Sequence, residues 1–296
     1  MSDQIPNTQP RGGFNPAPKP DLIEHEEEKE EQESESFLDH LEVLRWHIMR
    51  SVVAILVFSI GAFFAKSFIF EEILFGPKQH DFLTNRVFCK LSHLLQMGDQ
   101  LCFPELKLSI VNLEITGQFL MHLKVSFLTG FIVAFPYIIW EFWRFIKPGL
   151  YTNERKYARG LVFFCSILFF TGVCFGYFII TPFSVNFLGS YSITDQIQNS
   201  IGVTSYISFI SSIVLAAGLM FEMPMVVYFL AKLGLIDGNF LKAYRKHSLV
   251  IILLLSGIIT PPDVASQIIL TLPLYFLYEL SIVIANRVTK NNEEND

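Results

Sequence analysis

Charged residues are scarce in this sequence of 296 residues: they make up 17% of it, against roughly 25% in an ordinary soluble domain. Hydrophobic residues account for 51%, and 30 phenylalanines are among them. This composition excludes a soluble globular protein. It also excludes a nucleic-acid-binding protein, because the 22 basic residues form no large excess and their few clusters adjoin apolar runs.

The motifs of the common enzyme classes are missing as well. The sequence has no nucleophile elbow, no phosphate-binding loop and no His-Glu-x-x-His pair. Its four cysteines and seven histidines lack the spacing of metal ligands. We therefore predict no metal, no cofactor and no enzymatic activity.

The net charge of −6 comes from the two ends of the chain. Residues 1–36 hold ten acidic and three basic side chains, and the last four residues hold three acidic ones. We predict that residues 1–36 are a disordered, acidic N-terminal tail, with a docking segment as the alternative. Residues 37–290 are then the transmembrane domain, and residues 291–296 are a C-terminal tail.

Six apolar segments lie between the tails. They cover residues 46–70, 118–146, 160–194, 203–231, 248–260 and 265–286. Because they show no apolar and polar alternation, they predict an all-α membrane protein with six transmembrane helices and not a closed barrel. We expect Pro136 to kink the second helix, and the third to end near Thr181 and Pro182.

The last two helices are short, and the tight loop between them predicts an antiparallel hairpin. The 13 residues of the fifth segment extend about 20 Å, well below a hydrocarbon core of roughly 30 Å. Basic residues concentrate after segments two, four and six, whereas the other two late connections have none. The positive-inside rule therefore places both termini in the cytoplasm, although residues 71–118 hold four basic residues on the outer side.

Cys89 and Cys102 lie in this long outer connection, where the compartment is oxidising. A bond between them would close a short loop and stabilise the fold by roughly 3 kcal/mol. Spacing alone does not establish the geometry, so a disulfide and two free thiols both remain open. Cys165 and Cys174 lie in the third segment, where we expect small apolar residues.

Polar residues inside apolar segments are functional candidates, because lipid makes them costly. Glu222 lies within the fourth segment and Gln267 lies early in the sixth. The alternatives are a protonated or hydrogen-bonded packing role for Glu222 and a helix–helix hydrogen bond for Gln267. Glu141 and Glu279 lie near cytoplasmic helix ends, so we expect them to be solvated or at the interface.

Four motifs resemble the TatC family, the multispanning receptor subunits of the twin-arginine protein translocase. They are FLDHLEVLR at residues 37–45, FIKPGLY at 145–151, FEMP at 221–224 and TPPDVASQ at 260–267. The resemblance covers about residues 36–287. It implies a concave, glove-like bundle of six helices in the bacterial cytoplasmic (inner) membrane.

The resemblance also implies a function. Family members bind the twin-arginine signal peptides of folded precursor proteins at the cytoplasmic face, and the proton motive force drives export. The implied partners are single-helix membrane subunits of the TatA and TatB types, the lipid bilayer and further copies of the chain. No nucleic acid is expected.

Glu154 matches the family's acidic position in the first inner loop, where a carboxylate can receive a guanidinium group. Considered without the resemblance, it would pair with Arg155 or Lys156 and cap the third helix. The family's second acidic position is Val43 here, with Glu42 one residue earlier. Because one residue turns a helix by about 100°, either Glu42 reaches the peptide from another angle or the pocket depends more on Glu154. Other positions linked to signal-peptide recognition or its surface are Leu44, Arg45, Phe145 and Pro148.

Within the bilayer, the resemblance assigns Glu222 to the hollow of the bundle and Gln267 to the docking of single-helix subunits. Asp263 and Pro136 also fall at family positions in this region. A secondary transporter of a small solute is the alternative function, since it would share the helices and the intramembrane carboxylate. The two halves of the sequence show no repeat symmetry, which disfavours it.

Overall fold

The computed structural model of the chain describes residues 20–78, 82–94, 96, 98, 102, 109–146, 158–192, 194, 200–260 and 264–293. Two compact units divide the chain, residues 1–48 and 49–296. The boundary lies within the first helix. The second unit contains all the other helices.

Most described residues are helical. The α-helices are α1 Pro20–Phe64, α2 Leu83–Leu94, α3 Gly117–Ile146, α4 Ala158–Phe175, α5 Thr181–Ser190, α6 Val203–Phe221, α7 Met223–Lys232, α8 Gly238–Ala243, α9 Arg245–Ile259 and α10 Val264–Glu293. Two π-helical segments cover Phe68–Leu74 and Gly176–Ile180, and a 3₁₀ turn covers Gly76–Lys78.

Five helical stretches are long and apolar enough to cross a membrane. They are Glu42–Phe64, Gly117–Ile146, Gly160–Ser190, Val203–Lys232 and Ser266–Lys290. They correspond to five of the six predicted segments and confirm the all-α membrane class. The remaining segment is α9, whose 15 residues extend only about 22 Å. Its crossing of the bilayer stays a prediction.

The third membrane helix is longer than predicted. An end near Thr181 is wrong, because α4 continues through the π-helical segment Gly176–Ile180 into α5 and reaches Ser190. The Thr181 hydroxyl donates a hydrogen bond to the Gly176 carbonyl at 2.9 Å. Pro182 lies in the first turn of α5 and has no N–H to donate, and the Phe178 carbonyl, four residues earlier, accepts a hydrogen bond from the Thr84 hydroxyl instead. α3 runs unbroken through Pro136, and the kink expected there stays a prediction.

The N-terminal segment differs from the expected irregular backbone. Residues 1–19 lie outside the described residues, but α1 begins at Pro20 and includes residues 20–36. Glu, Gln and Lys, which dominate this stretch, have high helix propensity, so helical backbone is compatible with a solvated segment. Its solvated character stays a prediction.

α6 is the common element of two buried clusters. On one side, Ile213 and Ala217 pack against α10 through Leu270 and Leu274. On the other, Ile207 and Ile210 pack with residues of α3 such as Val125. α6 therefore joins the early helices to the late ones.

The outer connections of the chain are tied together by short contacts. β1 (Ser109–Val111) and β2 (Ser200–Gly202) form a two-stranded parallel sheet in which Ser109 pairs with Ser200. The Tyr177 hydroxyl donates to the Ile73 carbonyl at 2.7 Å. The two long connections therefore lie on the same side of the helices, as the alternating topology requires.

Cys89, in α2, is bonded to Cys102 in the structure. His93 Nε2 lies 3.8 Å from Cys89 Sγ, one helical turn away. The ligand atoms of Cys89, His93 and Cys102 lie within 4.8 Å of one another, but the two sulfurs are bonded to each other and are not thiolates. Of the other two cysteines, Cys165 is buried and Cys174 is exposed.

Candidate functional site

The residues expected to bind a signal peptide are only partly described. Glu154 and Pro148 lie outside the described residues. Phe145 is the penultimate residue of α3 and is half-buried. The grouping of Glu154 with the other candidates therefore stays a prediction.

The remaining candidates lie on α1, in the first unit. Glu42 and Arg45 are exposed, and Leu44 is half-buried. Glu42 and Arg45 are three residues apart, so they share one face of the helix. Val43, at the family's second acidic position, is 46% exposed and directed away from that face by the helical rotation. An accessible carboxylate is thus present beside this position, on a different face.

Glu222 lies at a break in the fourth membrane helix. α6 ends at Phe221, α7 begins at Met223, and Glu222 itself has φ −75° and ψ −5°. Pro224 follows at the start of α7, where it lacks the N–H that a continuous helix would use. The Glu222 carbonyl still accepts from the Met225 and Val226 N–H groups, at 2.9 and 3.1 Å. The first turn of α7 therefore keeps its backbone hydrogen bonds although the fourth membrane helix is interrupted at Glu222.

Two polar groups lie beside the Glu222 carboxylate, the Cys165 thiol and the backbone of Phe169. Cys165, 3% exposed, lies within hydrogen-bonding reach of the carboxylate, and its sulfur also contacts the side chain of Trp143. Glu222 Oε1 is buried and has no hydrogen-bond partner among the residues that the structure describes. We expected Cys165 to be only a small apolar residue, and the sequence did not predict its contact with Glu222.

Glycines let α4 and α6 approach closely beside this site. A Cβ on Gly172 would lie 2.6 Å from the Ala217 carbonyl oxygen, and one on Gly218 would lie 2.9 Å from the ring of Phe169. Gly172 and Gly176 are four residues apart, which is the small-residue spacing of close membrane helix pairs. This G-x-x-x-G pattern was present in the sequence and could have identified the contact.

Gln267 takes part in a polar seam between α9 and α10. Its Nε2 donates to the Leu253 carbonyl at 3.0 Å. The Thr271 hydroxyl lies 3.1 Å from Ser256 Oγ, and Ser256 is fully buried. The structure thus gives Gln267 the helix–helix hydrogen bond that was one of its two alternatives. It is half-buried, so part of the side chain remains accessible.

Asp263 and Pro136 are the two other candidates within the membrane. Asp263 lies outside the described residues. Pro136 is half-buried within α3. Ser266, next to the predicted hairpin turn, accepts a hydrogen bond from Ser184 at 3.2 Å and joins α10 to α5.

Glu141 differs from its expected solvated position, because its side chain is only 1% exposed. Arg50 of α1 and Arg144 of α3 both lie 4.0 Å from its carboxylate oxygens, and the Tyr137 hydroxyl donates to it at 3.0 Å. The sequence could suggest Arg144 and Tyr137 as helical neighbours. It could not reveal Arg50, which is more than 90 residues away along the chain.

A sequence profile of the family described as Sec-independent protein translocase protein (TatC) matches residues 39–273, which is most of the chain. The chain belongs to the TatC family. The resemblance drawn from the four motifs is therefore confirmed. As a family member, the chain is a component of the Sec-independent protein translocase, a multi-pass membrane protein involved in transport.

Similar proteins cover nearly the same length. The TatC protein of Blattabacterium sp. subsp. Periplaneta americana is 42% identical over 263 residues, 88% of this chain and 99% of the relative. The TatC protein of Helicobacter pylori is 38% identical over 264 residues, 88% of this chain and 92% of the relative. The match thus extends over most of the chain.

Solved structures give the same result for the fold. A crystal structure of the twin-arginine translocase receptor TatC superposes with a TM-score of 0.64 at 33% identity, covering 84% of this chain and 99% of that one. A second, in DDM, has a TM-score of 0.65 at 34% identity and covers 83% and 99%. The arrangement of helices is therefore that of TatC.

Proposed function

We propose that this chain is the signal-peptide receptor and core subunit of a twin-arginine translocase in the bacterial cytoplasmic membrane. The observation that carries the proposal is the match to TatC over 88% of the chain, together with solved chains described as twin-arginine translocase receptors. The cargo consists of folded precursors with twin-arginine signal peptides, and the proton motive force drives their export.

The signal peptide binds through acidic residues at the cytoplasmic face. Glu154 receives one of the two arginines, because a carboxylate and a guanidinium group form paired, charge-assisted hydrogen bonds. Glu42 supplies the second carboxylate from its exposed face of α1, because the family's second acidic position is occupied by Val43 in this chain. Leu44, Arg45, Phe145 and Pro148 also take part in signal-peptide recognition. The exposure of Glu42 and the half-buried position of Phe145 support this assignment.

Single-helix subunits of the TatA and TatB types bind along α9 and α10. Exposed apolar side chains on both helices support this role, among them Leu254 on α9 and Leu272 on α10. Gln267 stays partly accessible beside them, and Asp263 is a further candidate contact for these subunits. Glu222 offers a buried polar atom within the helices for a polar group of a partner helix.

Both termini lie in the cytoplasm. The basic connections after the second and fourth membrane helices support this orientation under the positive-inside rule. The pairing of β1 with β2 is consistent with it, because it brings together two connections assigned to the outer side.

Peptide affinity tests the receptor role. The purified chain in detergent is titrated with a synthetic signal peptide that carries Arg-Arg and with a Lys-Lys version. We expect the Arg-Arg peptide to bind more tightly, and Glu154→Gln to weaken it by about tenfold or more while largely removing the preference, because a hydrogen bond to a charged group contributes roughly 1.5–3 kcal/mol.

Variants at positions 42 and 43 test the second acidic position of the binding site separately from Glu154. Glu42→Gln should weaken the Arg-Arg peptide if Glu42 replaces the missing carboxylate, and Val43→Glu should strengthen it. Glu114→Gln is the control, because Glu114 is an exposed carboxylate on the outer side of the chain. Equal binding of both peptides by the wild type would contradict the proposal.

A further inference from the structure

Two arginines share one buried carboxylate near the end of α3. Arg50 Nη1 and Arg144 Nη1 each lie 4.0 Å from a different oxygen of Glu141. Glu141 is 1% exposed, whereas the two arginine side chains are 47% and 53% exposed. The group thus has a buried anion behind two accessible cations.

The contacts leave the arginines with unused binding capacity. A direct hydrogen bond between a guanidinium group and a carboxylate spans about 2.7–2.9 Å, so the 4.0 Å separations are ion pairs only. Each guanidinium group has five N–H donors. In the part of the chain that the structure describes, Glu141 is the only acidic partner of either arginine. The three side chains together carry one surplus positive charge.

The position of the cluster determines what can neutralise that charge. Arg50 lies eight residues inside the apolar stretch Glu42–Phe64, and Arg144 lies in the last turn of α3. Arg144 covers the ring of the exposed Trp140, at 5.8 Å from the centroid. An exposed tryptophan beside basic residues at the end of a membrane helix is typical of the headgroup level. An anionic group of the membrane surface can neutralise a surplus cation there.

We propose that Arg50 and Arg144 bind the phosphate of an anionic phospholipid headgroup. The two non-ester oxygens of a phosphodiester can each accept hydrogen bonds from one guanidinium group. A lipid with one net negative charge, such as phosphatidylglycerol, matches the surplus charge. A zwitterionic headgroup would bring its own cation towards the arginines. Basic sites between membrane helices commonly bind anionic lipids in this way.

Lipid affinity of the full chain in detergent tests the site. Binding of fluorescent phosphatidylglycerol is compared with binding of phosphatidylcholine, without any signal peptide. We expect a clear preference for phosphatidylglycerol and a loss of about fivefold in its affinity for Arg50→Gln and for Arg144→Gln. Arg287→Gln is the matched control, because it removes another exposed arginine near a membrane helix end and should leave the affinity unchanged.

Two further measurements separate specific binding of the lipid headgroup from simple charge attraction and from binding of free phosphate. Arg50→Lys and Arg144→Lys keep the charge and the fold but lose the forked donors, so they should also bind phosphatidylglycerol less tightly. Free glycerol phosphate at millimolar concentration should not displace the lipid. Displacement by glycerol phosphate, equal binding of both lipids, or equal losses in the Arg287 variant would overturn the proposal. Because no peptide is present, these outcomes are independent of the signal-peptide proposal.

Discussion

Arg245, the first residue of α9, forms an ion pair of 2.7 Å with Glu279 of α10. The Tyr275 hydroxyl donates to the other carboxylate oxygen of Glu279 at 3.1 Å. Towards the opposite end of α9, Leu253 accepts the hydrogen bond of Gln267. α9 therefore contacts α10 through polar side chains at two levels. Because the earlier residue of α9 pairs with the later residue of α10, the two helices are antiparallel. This confirms the hairpin predicted from the tight loop.

We expect the Arg245–Glu279 ion pair to stabilise the hairpin by about 0.5–1 kcal/mol, since both side chains are partly exposed and the pair is screened by solvent. A double-mutant cycle of Arg245→Gln and Glu279→Gln, followed by unfolding in mixed micelles, measures this coupling energy. The sum of the two single losses in stability should exceed the loss in the double variant by about 0.5–1 kcal/mol. Strictly additive effects would mean that the pair contributes nothing to stability.

Gly172→Ala should destabilise the protein, because its Cβ would lie 2.6 Å from the Ala217 carbonyl oxygen and would force α4 away from α6. Overpacking of this kind typically costs about 1–3 kcal/mol. Gly160→Ala is the matched control on the same helix, because nothing lies within 4 Å of its Cβ position. The midpoint of thermal unfolding should fall for Gly172→Ala and stay the same or rise for Gly160→Ala. Equal midpoints would contradict the close helix contact.

The membrane helices were predictable because long apolar runs reflect the thickness of the bilayer. Their ends were less so: a proline such as Pro182 is compatible with a new helical turn as well as with a helix end, and the sequence does not distinguish the two. Glu141 shows a further limit. Its burial depends on Arg50 from a distant helix, and such a contact leaves no local pattern. Glu222 and Gln267 were identified because polar residues are unusual in apolar segments.

Loss of the Cys89–Cys102 disulfide should lower the free energy of unfolding by roughly 3 kcal/mol, because the 13-residue separation closes a short loop in the unfolded chain. The double variant Cys89→Ser, Cys102→Ser tests this by chemical unfolding. Reductant should destabilise the wild type and leave the double variant unaffected. In denaturant without reductant, two thiols should react per chain, from Cys165 and Cys174, and a count of four would contradict the bond.

Glu222→Met should make the chain more stable and less active. Glu222 Oε1 is buried without a hydrogen-bond partner among the described residues, and such a group costs about 1–3 kcal/mol. Methionine has a similar length and removes that group, so we expect a higher midpoint of thermal unfolding. We also expect export of a folded twin-arginine reporter to fall in cells that depend on this chain, because the polar group offered to a partner helix is gone.

The matched control for Glu222→Met is Glu114→Met, which changes an exposed carboxylate and should alter neither stability nor export. If Glu222 is only a packing residue, the Met variant keeps full export, and the functional assignment is wrong. If stability falls instead of rising, the contact with Cys165 outweighs the unpartnered oxygen. Cys165→Ala distinguishes this case, because it removes the thiol and leaves the carboxylate in place. A higher midpoint together with lost export would mean that the chain keeps a destabilising residue at this position for its function.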